Sequence, residues 1–356
     1  MLKIGGKEVP RGQRARIEIP VGRMPTQVMV SLPVRVVHGA GEGPSLWLTA
    51  AIHGDEINGV EIIRRVLQVL DPARLRGSVV AAPIVNVFGF STHSRYLPDR
   101  RDLNRSFPGS RKGSLASRLA QIVMAEVVGP CSHGIDLHTA AAGRINLPQI
   151  RCDLDDDETR RCAQAFGAPV MMNSTGPGGS LRRAATRRGK TVLVYEAGEV
   201  LRYNPGAIEV GVEGILAVMA TLDMIDARPR AAASPPVASL QQKWVRAQRG
   251  GIVHMQVELG ERVVKRQPLG AISDPMGERE NLIRSPVEGY VIGGITNPLV
   301  NRGDAVLHIA LADPAPAAHS KMPRQLDNSI AGVPEAMQLP EDPRNGLLNG
   351  GPGDET

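Results

Sequence analysis

The chain has 356 residues, 42% of them hydrophobic and 22% charged, with a formal charge of +6. That length suits one large domain plus a smaller one, and the composition is that of a folded globular protein. No apolar run approaches the ~20 residues needed to span a bilayer, and the opening Met1-Leu2-Lys3-Ile4-Gly5-Gly6-Lys7 lacks the apolar core of a signal peptide, so the expected location is the cytoplasm with no membrane partner.

The charge is unevenly spread. Residues 313–356 hold Lys321, Arg324 and Arg344 against seven acids, which leaves 39 basic and 29 acidic side chains, about +10, in the first 312. Such a surplus favours anionic partners. Aromatic residues make up only 3% of the chain, which is poor for base stacking, and no nucleic-acid-binding motif is present. A small anionic substrate or a peptide accounts for the surplus. Cys131, Cys152 and Cys162 show no Cys-x-x-Cys spacing, so they read as small buried hydrophobes rather than a disulfide or thiolate metal framework.

In chain order, short apolar runs at Leu46–Ile52, Val79–Val85, Gly134–Leu137, Pro169–Met172 and Thr191–Tyr195 read as buried strands. Between them, Glu56–Leu70 and Leu115–Val128 carry helical spacing, the first with Ile57, Val60, Ile63, Val66, Leu67 and Leu70 on one face. Buried strands alternating with helices predict an α/β fold, a mixed, mostly parallel sheet flanked by helices. Residues 1–225 form this unit. Ala227–Ser239, with Pro229, Pro235, Pro236 and several alanines, reads as a linker over 226–240. Residues 241–312 are rich in Val, Ile and Gly and predict a smaller all-β unit, and 313–356 reads as a disordered tail.

In open α/β sheets, functional groups collect beyond the carboxyl ends of the strands. His53 and Glu56 of Ala51-Ile52-His53-Gly54-Asp55-Glu56 stand where one apolar run gives way to a helix. A histidine and a carboxylate three residues apart across a glycine turn can converge on one cation, although an acidic helix N-terminus also follows from the helix dipole alone. His138 ends another apolar run in Gly134-Ile135-Asp136-Leu137-His138. Asp136 points to the same side of that strand and is suited to orient the histidine. A lone histidine there would be an ordinary core residue; a second one at the same edge is not. Two histidines and one carboxylate form an open zinc site, able to activate water and polarise a carbonyl.

Such chemistry needs a base, and Glu196 ends the apolar run Thr191-Val192-Leu193-Val194-Tyr195, where desolvation makes a carboxylate costly. Glu199 lies beyond the next glycine and ranks second. The stretch Arg95–Gly109 packs Arg95, Arg100, Arg101 and Arg105 into loop-like sequence, suited to two-pronged carboxylate recognition or to an oxyanion, and on composition alone to a solvated loop. His93 in that loop, and Arg144, Asn146, Arg182 and Arg183 further on, either line the same pocket or face solvent. His38, His133, His254, His308 and His319 read as structural or exposed.

Together, His-Gly-Asp-Glu at 53–56, Asp-Leu-Asn-Arg at 102–105, Asp-Leu-His at 136–138 and Glu196 resemble the succinylglutamate desuccinylase/aspartoacylase family, a branch of the zinc carboxypeptidase superfamily. The resemblance covers roughly residues 45–200. It implies a zinc carboxypeptidase-like fold, one Zn2+ held by His53, Glu56 and His138, and Glu196 as general base. It implies that Asn104 and Arg105 grip a substrate carboxylate and that an upstream arginine steadies the oxyanion. Arg95 and Arg101 compete for that last role, with Arg95 preferred and Arg101 left with Arg144 to help bind substrate. The implied reaction is hydrolysis of an N-acyl amino acid or related acylated amine by a zinc-bound water. A carboxypeptidase acting on a peptide C-terminus and a non-catalytic binding protein on a retained scaffold are the alternatives.

In 241–312, two half-repeats align: Gly251-Ile252-Val253 through Gly260-Glu261 to Pro268–Ile272, and Gly289-Tyr290-Val291 through Gly303-Asp304 to Val306–Ile309. This is similar to the barrel-sandwich domains of biotinyl and lipoyl carriers, but the second repeat has Asn297-Pro298 where a carrier needs its acceptor lysine. A cap or oligomerisation module is the expected role, which leaves a homo-oligomer open.

Overall fold

The computed structural model describes residues 2–226 and 236–311. A hairpin of β1 (Leu2–Ile4) and β2 (Lys7–Val9) leads into β3 (Gln13–Arg23), β4 (Met29–His38) and β5 (Gly41–Ala50). Then come α1 (Asn58–Val69), β6 (Arg76–Ala82), α2 (Val87–Ser91), α3 (Leu115–Ile122) with a π-helical extension Val123–Val128, β7 (His133–His138) and β8 (Arg144–Cys152). This first part of the chain ends with α4 (Asp157–Phe166), β9 (Val170–Asn173), α5 (Leu181–Thr186), β10 (Thr191–Gly198) and α6 (Pro205–Thr221). All of the apolar runs read as strands fall on strands, and both helical stretches are helical.

β6, β5, β7 and β10 run parallel at the centre of a 13-stranded sheet, flanked by antiparallel β4 and β3 on one side and β8 on the other. The sheet is therefore mixed, with its parallel strands in the middle. Each face buries a separate apolar cluster. One joins α1, α4 and α6 to the sheet through residues such as Ile62, Ile63, Val66, Phe166, Ile215 and Val218. The other packs Leu119, Val123, Val127 and the β3–β4 ribbon against Trp47, Val80 and Val192. Both faces of the central strands are covered, which is why their sequences are nearly continuous in apolar residues. The three cysteines are free and buried; burial pushes the Cys131 and Cys152 thiols up to about 12 and Cys162 to about 11, as expected of inert core residues.

Past α6 the described chain resumes at residue 236, so most of the expected linker lies outside the described residues, as does the expected tail with His319. Within the former, β11 (Val237–Ser239) pairs with β9 in parallel. The remaining strands are β12 (Gln242–Arg246), β13 (Gly251–Met255), β14 (Arg262–Val263), β15 (Pro268–Ser273), β16 (Glu280–Arg284), β17 (Gly289–Ile295), β18 (Leu299–Val300) and β19 (Ala305–Leu311). The half-repeats are visible as β13–β14–β15 and β17–β18–β19, and each short strand pairs with the first strand of the other repeat, β14 with β17 and β18 with β13. This module continues the large sheet, because β17 pairs antiparallel with β8, Gly293 opposite Asn146 and Ile295 opposite Arg144. Leu147, Val170 and Met172 are buried against Tyr290, Ile292 and Ala310 across that seam. Among the described residues, no helix is long and apolar enough to cross a membrane.

Ile292 is fully buried, so Ile292→Ala is expected to cost about 2–4 kcal/mol in denaturant unfolding. A loss below about 1 kcal/mol would show that the seam does not contribute to the stability of the whole.

Candidate active site

Register brings the site residues to one rim. β5, β7 and β10 are parallel neighbours, with Leu137 beside Ala50 and His138 beside Glu196. The chain leaves β5 through Ala51, at φ 48°, and turns before α1 starts at Asn58 rather than at Glu56. The amide of Glu56 donates to the His53 carbonyl at 3.1 Å, closing that turn. Gly54 is required by packing: a Cβ there would stand 2.0 Å from the backbone of Gly89 in α2.

His53 Nδ1 lies 2.6 Å from Glu56 Oε1 and His138 Nδ1 lies 2.7 Å from Glu56 Oε2. All three side chains are buried, and one ligand atom from each lies within 4.8 Å of the others. The outer nitrogens are also held: His53 Nε2 by Asp102 Oδ1 at 3.2 Å, and His138 Nε2 by Asp136 Oδ2 at 2.9 Å. Asp136 takes a further bond from Thr49 Oγ1, and the amide of Thr139 donates to Glu56. Both imidazoles therefore aim Nδ1 at the same point, each backed by a carboxylate that fixes the ring.

Burial opposes charge at every one of these groups, yet the partners prevail. Glu56 is held far below the usual carboxylate range by His53 and His138, and Asp102 by His53 and Arg95. His53 is raised, against burial, by Glu56 and Asp102, and His138 rises well above its ordinary value through Asp136 and Glu56. The cluster thus demands positive charge where the two Nδ1 atoms and the Glu56 carboxylate meet. Protons meet that demand on the bare side chains, and a divalent cation bound by two imidazoles and a carboxylate fits the same donor set.

Asp102 was legible only as part of a motif; its contact with His53 joins positions 49 residues apart. It also receives Arg95 Nη2 at 2.9 Å, and Arg95 Nη1 stands 3.5 Å from Glu56. Arg95 lines the pocket and Arg101 does not. A tight turn, with Arg100 N donating to Leu97 O and Leu97 N to Arg101 O, throws Arg101 outward. Its Nε lies 3.7 Å from Asp99 and the side chain is 63% exposed, so the expectation that Arg101 touches substrate is corrected. Glu199, beside Arg202, and exposed His93 are likewise off the pocket wall.

The pocket, about 360 Å3, is lined by the three clustered side chains with Glu196, Asn104 and five arginines, Arg95, Arg105, Arg144, Arg151 and Arg182. Glu196 Oε2 accepts from Asn146 Nδ2 at 2.8 Å, and Arg151 Nη1 lies 3.4 Å from its Oε1. Asn104 Oδ1 accepts from the Leu181 amide, tying the arginine loop to α5. Arg182 is buried, and among the described residues its Nε and Nη1 have no partner; burial foremost, then Arg151, draws it down to about 10. Arg151 escaped the sequence reading because nothing near it in the chain marks it. One other group, His133, Glu158 and Cys162, comes within similar distances. It lies at the opposite end of β7, and Arg161 holds Glu158 there with bonds of 2.7 and 2.8 Å, which makes it an ion pair rather than an open site. His38 bonds the Val9 carbonyl and His254 meets Ser273, both structural.

The parallel-centred sheet thus carries, at its carboxyl rim, a buried cluster of two histidines and one carboxylate that could hold a metal ion. Residues 42–222 match the Succinylglutamate desuccinylase/Aspartoacylase catalytic domain, and the chain belongs to that family. It is 28% identical over 297 residues, 79% of this chain and 86% of the relative, to an N-alpha-acetyl-L-2,4-diaminobutyric acid deacetylase from Halomonas elongata. A crystal structure of a succinylglutamate desuccinylase/aspartoacylase from Rhodobacter sphaeroides superposes with a TM-score of 0.77 at 26% identity, covering 86% of this chain and 99% of that one. The product-bound ectoine utilization protein EutE (DoeB) from Ruegeria pomeroyi shares the fold, with a TM-score of 0.77 at 21% identity over 85% of this chain and 97% of its own.

Asp102→Asn keeps the shape but weakens both the His53 and Arg95 contacts. Divalent-cation affinity, measured by titrating chelator-stripped protein, is expected to fall on the order of 10- to 100-fold. An unchanged affinity would mean that Asp102 does not orient His53 for a cation.

Proposed function

We propose that this protein is a zinc-dependent deacylase that hydrolyses the amide bond of an N-acyl amino acid or a related small acylated amine. The observation that carries the reading is the meeting of His53 Nδ1, His138 Nδ1 and the Glu56 carboxylate within 4.8 Å of one another in a pocket whose wall also carries Glu196 and five arginines. The family's named activities and the deacetylase relative support the reaction class.

His53, Glu56 and His138 would hold the zinc, which when bound supplies a Lewis acid that activates water and polarises the scissile carbonyl. Glu196 is the general base: it takes the proton of the attacking water and passes it to the leaving nitrogen. Asn146 and Arg151 fix its carboxylate, one on each oxygen. Arg95, braced by Asp102, presents its guanidinium to the negative charge that develops on the carbonyl oxygen. Asn104, Arg105 and Arg144 bind the substrate carboxylate, where a guanidinium gives two parallel hydrogen bonds. A small anionic substrate also suits the positive balance of the first 312 residues.

The test is Glu196→Gln assayed on a panel of N-acyl amino acids and peptides. The variant is expected to retain one zinc per chain while kcat falls about 100- to 10,000-fold. Wild-type protein is expected to turn over the acyl amino acids and leave the peptides intact. Turnover of peptides alone would favour a carboxypeptidase, and full activity in the variant would remove Glu196 from the chemistry.

A further inference from the structure

Of the five pocket arginines, four have polar partners. Arg95 meets Asp102, Arg151 meets Glu196, Arg105 donates to the Asn104 carbonyl and Arg182 to Ser174 Oγ. Among the described residues, the Arg144 guanidinium has neither a carboxylate nor a hydrogen-bond acceptor. What it meets is the face of Trp244, with Cζ 5.2 Å from the ring centroid. Trp244 belongs to β12 of the C-terminal module and stacks on His308 of the neighbouring β19, centroids 3.9 Å apart and planes 4° from parallel. The two rings are opposite partners across those strands.

We infer that Trp244 is a positioning residue: it holds the Arg144 guanidinium at the pocket wall and so gives the C-terminal β module a direct part in substrate binding. The inference rests on the functional reading above, in which Arg144 receives a substrate carboxylate. A guanidinium held by an aromatic face keeps its N–H donors, because the attraction runs through the ring quadrupole and not through hydrogen bonds. A carboxylate partner would have fixed Arg144 equally well but used those donors. The ring therefore limits where the charge sits while leaving it able to bind an anion.

The surroundings suit this arrangement. His308 is buried, and among the described residues neither of its ring nitrogens has a partner. Burial foremost, with Arg151 and Arg144 adding to it, draws His308 down to about 3, so a neutral ring backs the indole and no second cation repels Arg144. Gly293 of β17 is registered with Asn146 on one side and with His308 on the other. A Cβ at Gly293 would stand 2.8 Å from Asn146 Oδ1 and 3.5 Å from His308 Cβ. The missing side chain leaves room between the pocket residues of β8 and the stacked rings.

The test compares Trp244→Leu, which keeps apolar bulk, with Trp244→Phe, which also keeps a π face. On an N-acyl amino acid, the zinc-loaded Leu variant is expected to raise KM about 10-fold with kcat within about twofold. The Phe variant should stay within about threefold of wild type, and Trp244→Leu should add under about twofold to KM in an Arg144→Ala background. An unchanged KM in the Leu variant, failure of Phe to restore it, or full additivity with Arg144→Ala would overturn the inference. The chain has two tryptophans, so an activity-independent readout exists in the 15N-labelled full chain. Arg144→Ala is expected to move the Trp244 indole N–H resonance and leave that of Trp47 in place; an unmoved Trp244 resonance would overturn the contact. Wild-type protein that hydrolyses no N-acyl amino acid would instead overturn the functional reading, while the resonance still decides the contact.

Discussion

The arrangement of this protein depends on one buried carboxylate. Glu56 places one oxygen on each of two imidazoles, from His53 three residues before it and His138 far along the chain. Burying a carboxylate costs several kcal/mol unless it is paired, so the turn after β5 and the end of β7 are held at a common point by the same contacts that shape the site. Asp102 and Asp136 extend the constraint outward, each taking the far nitrogen of one ring. Asp102 in turn anchors Arg95, so the arginine loop is positioned from the same centre.

The C-terminal module matters to this centre through the sheet. β17 extends the hydrogen-bonded ladder from β8, and β8 supplies Arg144 and Arg151 to the pocket and Asn146 to the Glu196 carboxylate. A strand left unpaired at that edge would expose the backbone and apolar side chains directly behind the residues that orient Glu196. Joining the two parts by β-pairing gives the pocket a rigid wall where a loop would have left it mobile.

Much of this was legible in the sequence because the parallel strands are buried on both faces and read as apolar runs. Their carboxyl ends share one rim, so His53, His138 and Glu196 could be grouped before any coordinates. β3 and β4 alternate buried residues (Ile17, Ile19 and Val21; Leu32, Val34 and Val36) with outward ones, so they contain no continuous apolar run of the kind that marks the central strands, and that antiparallel ribbon went unread. Long-range partners were not legible either. Nothing in the neighbourhood of Asp102 says that it meets His53, and nothing near Arg151 or Trp244 marks them as belonging to a site, since register across strands far apart in the chain decides those contacts. Arg101 misled because composition records how many arginines a loop holds, not which way a tight turn points them.

In the proposed function, two imidazoles and one carboxylate from this cluster bind a single zinc ion. X-ray absorption at the zinc edge of protein loaded with one equivalent tests it most directly. Two imidazole nitrogens and light oxygen donors are expected at about 2.0–2.2 Å, with one imidazole lost in His138→Ala. A spectrum with sulfur in the coordination shell, or one that His138→Ala leaves unchanged, would contradict it.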